Sequence, residues 1–196
     1  MGIGEQFEFE KTGRILPEEG SLKLRDFFND GDKYIIYCDM DGVLCDFLAE
    51  VENTERGLLK KMLNGKKKEK DEVWDKINAR GEDFWANMKW LSDGKELWKY
   101  IKPYDPWILS AAGRNKDSII NGKMKWIKRE LGGDQTKGSI IVHTAKSKKN
   151  YAVPNGILID DDKRNISDWI GNGGIGIHHT NTKKTLKELK KIMGEK

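Results

Sequence analysis

Apolar residues along the chain follow two rhythms. Short continuous runs rich in β-branched residues occur at 34–38 (YIIYC), 107–110 (WILS), 139–143 (SIIVH), 156–159 (GILI) and 174–177 (GIGI), and they read as buried strands. Between and after them the apolar positions recur at helical spacing. FLAEVENTERGLLKKMLNG and DEVWDKINARGEDFWANMKW occupy most of 47–90, and GKELWKYIK follows the capping pair Ser92-Asp93. SIINGKMKWIKREL, KRNISDWIG and TKKTLKELKKIM complete the set. Strands that alternate with helices predict an α/β fold built on a parallel sheet. Residues 1–33 hold no clean period and are punctuated by Gly4, Gly13, Pro17, Gly20 and Gly31, so they read as an extension. The predicted organisation is therefore an extension over 1–33, a core over 34–46 and 104–196, and a helical insertion over 47–103.

Composition narrows the class. The chain has 196 residues, 37% hydrophobic and 35% charged, with seven Trp and six Phe, which is a polar but foldable mixture. No apolar run approaches the ~18 residues of a spanning helix, and the first ten residues carry three Glu in place of an apolar leader. Two cysteines, Cys38 and Cys45, are too few for a disulfide scaffold or a four-cysteine zinc site. A soluble protein of the reducing cytoplasm, with no membrane partner, is the expectation. The net charge of +4 is uneven: residues 1–32 hold eight acids and four bases, leaving +8 on the remainder. Lysines crowd 60–70, 146–149 and 183–191, as a solvated surface does, or as a surface attracting a phosphorylated partner does.

Four groups of chemistry-bearing residues follow four predicted strands. Asp39 and Asp41 follow the first, Ser110 ends the second, lysines follow the third, and Asp160-Asp161-Asp162 follow the fourth. In α/β sheets this is the strand edge that binds ligands. An Asp-x-Asp-Gly turn places two carboxylates close together, with Gly42 free to take an unusual backbone conformation. Carboxylates added from a neighbouring strand crowd enough negative charge to call for a hard divalent cation, and oxygen ligands beside a phosphate suit Mg²⁺. An isolated Asp-x-Asp-Gly is more often a turn or calcium loop, but the full order of groups favours catalysis. GNGGIGIHH precedes a strand, so it is no dinucleotide fingerprint, and no GxxxxGK[ST] occurs. His178-His179 reads as structural.

Asp39-Met40-Asp41-Gly42-Val43-Leu44, Ser110 and Leu158-Ile159-Asp160-Asp161 resemble the first, second and fourth motifs of the haloacid dehalogenase superfamily of aspartate-nucleophile phosphohydrolases. The stretch through Asp46 and Phe47, DFWANMKWLSDGKEL and KWIKRELG resembles its 5'(3')-deoxyribonucleotidase branch. The resemblance covers roughly residues 34–180. It implies a Rossmann-like parallel sheet sandwiched by helices, with a small helical cap inserted after the first strand.

The same resemblance implies Mg²⁺ held by Asp39, Asp41 (through its carbonyl), Asp160 and Asp161. Asp39 would be the nucleophile, Asp41 the acid and base, and Ser110 a phosphoryl contact. A lysine would neutralise developing charge: Lys148 first, then Lys149, then Lys146. Phe47 would stack on a base. Trp85 or Phe84 would form the opposite wall, although Trp74, Phe84, Trp85, Met88 and Trp90 read more simply as the core of the cap. Ala111 and Arg114 stand where the branch shows Thr-Ser-Pro, and Arg114 would reach a phosphate. Asp162 departs from the branch pattern and would alter the field at the site.

The expected activity is Mg²⁺-dependent hydrolysis of nucleoside monophosphates, deoxynucleotide 5'- or 3'-monophosphates first. Two alternatives accompany it: a phosphatase of nucleic-acid 3' ends that uses the lysine runs, and a non-catalytic phosphate-binding module on the same fold.

Overall fold

Strand β1 (Ile35–Cys38) is the middle of a five-stranded, all-parallel sheet. Beside it lie β2 (Trp107–Ala111) and β4 (Gly156–Asp160). Outside those lie β3 (Ser139–Val142) and β5 (Ile175–His178), giving the order β3-β2-β1-β4-β5. The computed structural model describes residues 34–113 and 116–194. The 1–33 extension and Arg114 lie outside the described residues.

Five helices separate β1 from β2: α1 (Phe47–Thr54), α2 (Leu58–Asn64), α3 (Lys67–Arg80), α4 (Glu82–Ala86) and α5 (Gly94–Ile101). Then α6 (Lys116–Glu130) joins β2 to β3, α7 (Lys163–Gly171) joins β4 to β5, and α8 (Thr182–Met193) follows β5. Both long stretches read as helical over 47–90 are interrupted at glycine. Gly57 takes φ 91 between α1 and α2, and Gly81 takes φ 56 and ψ −130 between α3 and α4. These are backbone conformations that a side chain resists. Helix α3 also begins four residues earlier than its apolar pattern, because Glu69 reaches back to accept from the Lys66 amide at 2.8 Å.

The strands are continuous apolar runs because helices cover both faces. Ile36, Cys38, Ile108, Ile157 and Ile159 point into one cluster, and Tyr37, Trp107, Leu109 and Leu158 point into the other with Trp169 of α7. The segment between β1 and β2 builds no separate core. Val51, Leu58, Val73, Ile77, Phe84 and Met88 belong to the same cluster as Ile36 and Trp126. Polar ties fasten its base to α6: Trp126 Nε1 donates to the Met88 carbonyl at 2.8 Å, Arg129 Nη1 to the Ala86 carbonyl at 2.6 Å, and Trp90 Nε1 to Glu130 Oε2 at 2.7 Å. Among the described residues, no helix is long and apolar enough to cross a membrane.

Candidate active site

Because every strand runs the same way, the residues that follow them gather at one edge. The loop after β1 is wound tightly around the Met40 carbonyl, which accepts from the amides of Val43, Leu44 and Cys45 at 2.8–3.2 Å. Gly42 makes this turn at φ 76, and a Cβ there would stand 2.4 Å from Asp161 Oδ2. Asp39 is anchored by its amide to the Ile159 carbonyl at 3.0 Å, and its Oδ1 accepts from the Met40 amide at 2.8 Å. The Asp-x-Asp-Gly loop is thus folded directly against the end of β4.

Lys148, buried in a 3₁₀ segment (Ala145–Tyr151) after β3, spans two carboxylates. Its Nζ lies 2.8 Å from Asp39 Oδ2 and 2.7 Å from Asp160 Oδ2. Burial alone pushes this ammonium toward the neutral form, but the Asp39 and Asp160 charges outweigh it and raise its affinity for the proton. Asp160 is further held by the Asp162 amide at 2.8 Å and by Asn165 Nδ2 at 3.1 Å to both oxygens. Its carboxyl is still pushed up, first by burial and then by the Asp39 charge. Asp161 stands at the outer edge; desolvation, then Asp39 and Asp160, push its carboxyl up to about 7. Asp162 sits outside this group. It caps α7 and pairs with Arg164, whose hydrogen bonds hold its carboxyl below the usual range.

A second lysine completes the arrangement. Lys123 of α6 is fully buried, and its Nζ donates to Asp41 Oδ2 at 2.6 Å, Ser110 Oγ at 2.8 Å and the Ala111 carbonyl at 2.8 Å. The Trp85 ring centroid lies 5.0 Å away. Burial pushes the Asp41 carboxyl up and Lys123 opposes that push. Asp41 Oδ1 is buried and has no hydrogen-bond partner among the described residues.

Two cavities open onto these groups. One, of about 790 Å³, is lined by Asp41, Ala111, Ala112 and Gly113 at one end and by Phe47, Trp74 and Trp85 along its wall; Asn78, Lys67, Lys70 and Asp71 also line it. The other, of about 540 Å³, reaches Asp39, Lys148 and Asp161. Asp41, Phe47, Ala111 and Ala145 line both. Phe47 stacks on Trp85 at 5.8 Å between centroids with 24° between planes, and meets Trp74 at 6.0 Å.

Of the residues singled out in the sequence, the fold brings together Asp39, Asp41, Ser110, Lys148, Asp160 and Asp161, with Phe47, Trp85 and Ala111 on the cavity walls. Ser110 is fully buried and lines neither cavity; it meets Lys123 instead. Lys149 is half-buried, Lys146 is exposed, and neither lines a cavity. Phe84 is buried, as a core residue is, whereas Trp74 is 39% exposed on the cavity wall rather than inside the core. His178 and His179 bond to the Asp161 carbonyl and to Thr185.

Sequence reasoning missed Lys123, although the signal was there. It stands four residues after Ile119 and three and four before Trp126 and Ile127, one cation in a buried apolar stripe. Asn165 carried no such signal.

Asp39, Asp160 and Asp161 each offer an oxygen, all within 4.8 Å of one another. Four carboxyls (Asp39, Asp41, Asp160, Asp161) face two ammonium groups (Lys123, Lys148), so full ionisation leaves two negative charges uncompensated. An all-oxygen donor set with that deficit fits a hard divalent cation.

No protein-family model matches the chain. A protein of Vibrio phage KVP40, described provisionally as a 5'(3')-deoxyribonucleotidase, is 26% identical over 140 residues, which are 68% of this chain and 69% of that one. Among solved structures, a haloacid dehalogenase-like family hydrolase from Xanthomonas campestris gives a TM-score of 0.49 at 11% identity, covering 84% of this chain and 95% of that one. The L-2-haloacid dehalogenase from Xanthobacter autotrophicus gives 0.46 at 11% identity, covering 74% and 76%. In the order of its site motifs and in that phage relative, the chain is similar to the haloacid dehalogenase superfamily on the side of its 5'(3')-deoxyribonucleotidases.

Proposed function

We propose that the chain is a phosphomonoester hydrolase with an aspartate nucleophile, dependent on Mg²⁺ and acting on (deoxy)nucleoside 5'- or 3'-monophosphates. The observation that carries this reading is the pairing of two carboxylates in different environments. Asp39 is held by Lys148 on Oδ2 and by a backbone amide on Oδ1, which fixes the direction of its carboxyl group for attack. Asp41, two residues on, has its carboxyl pushed toward the protonated form and keeps Oδ1 unpartnered. A fixed carboxyl group beside a second one pushed toward its protonated form suits the nucleophile and acid roles of phosphoester cleavage.

Asp39 attacks phosphorus as the ester oxygen leaves with a proton from Asp41, and the resulting aspartyl-phosphate is hydrolysed with Asp41 taking a proton from water. Lys148 spends two of its three N–H bonds on Asp39 and Asp160, so a third is left for a phosphoryl oxygen. Ser110 accepts from Lys123 and so helps hold that ammonium beside Asp41. Asp39, Asp160, Asp161 and the Asp41 carbonyl would hold the metal ion, which when bound supplies charge stabilisation to the transferring group. Residues 47–103 act as the cap, and Phe47, Trp74 and Trp85 supply a surface for a flat ring.

The test is phosphate release with Mg²⁺ from 5'- and 3'-(deoxy)nucleoside monophosphates and a 3'-phosphorylated oligonucleotide, with Asp39→Asn as blank. Mononucleotide turnover absent from the blank supports the reading. Activity confined to the oligonucleotide replaces it with end processing, and silence on all substrates by folded protein overturns it.

A further inference from the structure

Helix α3 carries two different stripes. Val73 and Ile77 are fully buried and belong to the main core cluster. Lys67, Lys70, Asp71, Trp74 and Asn78 recur at three- and four-residue spacing and line the cavity of about 790 Å³ that also touches Asp41 and Ala111. At a rise of ~1.5 Å per residue, Lys70 stands about 6 Å and Lys67 about 10 Å along the helix axis from Trp74. Trp74 meets Phe47 at 6.0 Å between centroids, and Phe47 also lines the cavity that reaches Asp39 and Lys148. One continuous space therefore joins the reacting carboxylates, the ring wall and two cations.

Those cations have no partner of their own. Elsewhere in the cap the basic side chains meet carboxylates: Lys61 pairs with Glu72 at 3.2 Å, Arg80 with Glu50 at 2.7 Å, and Lys76 with Glu55. Among the described residues, Lys67 and Lys70 form no ion pair and no side-chain hydrogen bond, and Asp71 between them pairs with neither. Two lysines three residues apart on one helix face repel each other, and an anion held between them reverses that repulsion. The reacting end has no such cation to spare. Its four carboxyls outnumber Lys123 and Lys148, and both ammonium groups are already bound to them.

Resting on the phosphohydrolase reading, we propose that Lys67 and Lys70 form a second anion subsite, so that the substrate class is a nucleotide carrying a second phosphate besides the one removed. The reacting phosphate meets Asp39 and Lys148, the base lies on the aromatic wall, and the second phosphate is held by the two ammonium groups. Such contacts are charge-assisted and open to water, so the preference they create weakens with salt. The second phosphate has two sources of the same chemistry: the other hydroxyl of the same sugar, or the phosphodiester to a neighbouring nucleotide.

The experiment measures kcat/KM for phosphate release from a deoxynucleoside 3',5'-bisphosphate and from a dinucleotide bearing the terminal phosphate that the enzyme removes. Each is divided by kcat/KM for the better of the two monophosphates of the same nucleoside. Wild type is compared with the double variant Lys67→Gln/Lys70→Gln, and with each single variant should the double one fail to fold. Expected in the wild type is a ratio of about fivefold or more for at least one of the two probes, the scale of two partly exposed charge pairs. That ratio falls toward one in the double variant and shrinks at high salt. Preference for the bisphosphate alone assigns the second phosphate to the same sugar, and preference for the dinucleotide alone assigns it to the next nucleotide; either supports the subsite. Ratios near one for both probes in the wild type, or a preference that survives loss of both lysines, overturn the inference and leave the phosphohydrolase reading standing. Turnover of no phosphoester by the folded wild type overturns both.

Discussion

Gly42 and Asp161 are in contact in a way that no other residue at position 42 allows: the missing Cβ would overlap the Asp161 carboxylate, 2.4 Å from Oδ2. The same glycine sits at φ 76, where an L side chain costs roughly 1–2 kcal/mol. Gly42→Ala therefore displaces Asp161 from Asp39 and Asp160. The expected result is at least tenfold weaker Mg²⁺ binding by calorimetry with a fall in Tm of a few degrees; unchanged Mg²⁺ affinity would count against Asp161 as a ligand.

Lys148 holds Asp39 and Asp160 apart from mutual repulsion. Lys148→Met leaves both carboxylates buried without a counter-charge, a change that typically costs about 3–5 kcal/mol. Metal-free protein should melt well below the wild type, and Mg²⁺ should restore more stability to the variant than to the wild type while turnover stays at least 10²-fold down. A variant as stable as the wild type in chelator would show that the two carboxylates do not depend on Lys148.

The acidic cluster should make metal-free stability fall with rising pH. The Asp161 carboxyl is held at about 7 in the folded chain against an ordinary 3.8, so the folded state binds this proton more tightly than the unfolded state does. Its penalty is absent below about 4, grows as pH rises, and levels off above about 7. Mg²⁺ competes with that proton, so the rise in Tm on adding Mg²⁺ should be larger at pH 7.5 than at pH 5. Thermal melts at the two pH values with chelator or Mg²⁺ decide it; an equal rise at both refutes the coupling.

Trp74 and Trp85 line the same wall but differ in burial, 39% against 4% exposed. Trp74→Ala should raise KM for nucleoside monophosphates roughly tenfold, the scale of lost base stacking, with little change in Tm or in turnover of glycerol phosphate. Trp85→Ala should cost about 3–5 kcal/mol of stability as well, because it empties a packed site. An unchanged KM for the nucleoside monophosphate in Trp74→Ala, or the same rise for glycerol phosphate, would remove this residue from ring recognition.

Much of this was legible in the chain. The strands announced themselves because both sheet faces are covered, so Ile35–Cys38, followed by Asp39, and Gly156–Ile159, followed by Asp160, are continuous apolar runs. Asp39, Asp41, Asp160 and Asp161 were visible because parallel strands deliver their carboxyl ends to one edge. The choice of Lys148 over Lys149 was harder to read, since a 3₁₀ segment turns successive side chains to different sides and the spacing alone does not say which faces inward. The breaks at Gly57 and Gly81 were hidden by apolar periods that continue across them. Lys123 is harder to read because SIINGKMKWIKREL carries several cations, and helical spacing alone does not say that this one is buried.

The ties between α6 and residues 86–90 have one more consequence. The helix that carries Lys123 also bears the weight of the loop beneath Trp85, so the ring wall and the Asp41 carboxyl hang from a common beam. Under the proposed activity, a guest that lays its ring on the wall while its ester oxygen meets Asp41 would be measured for length before any chemical letter is read.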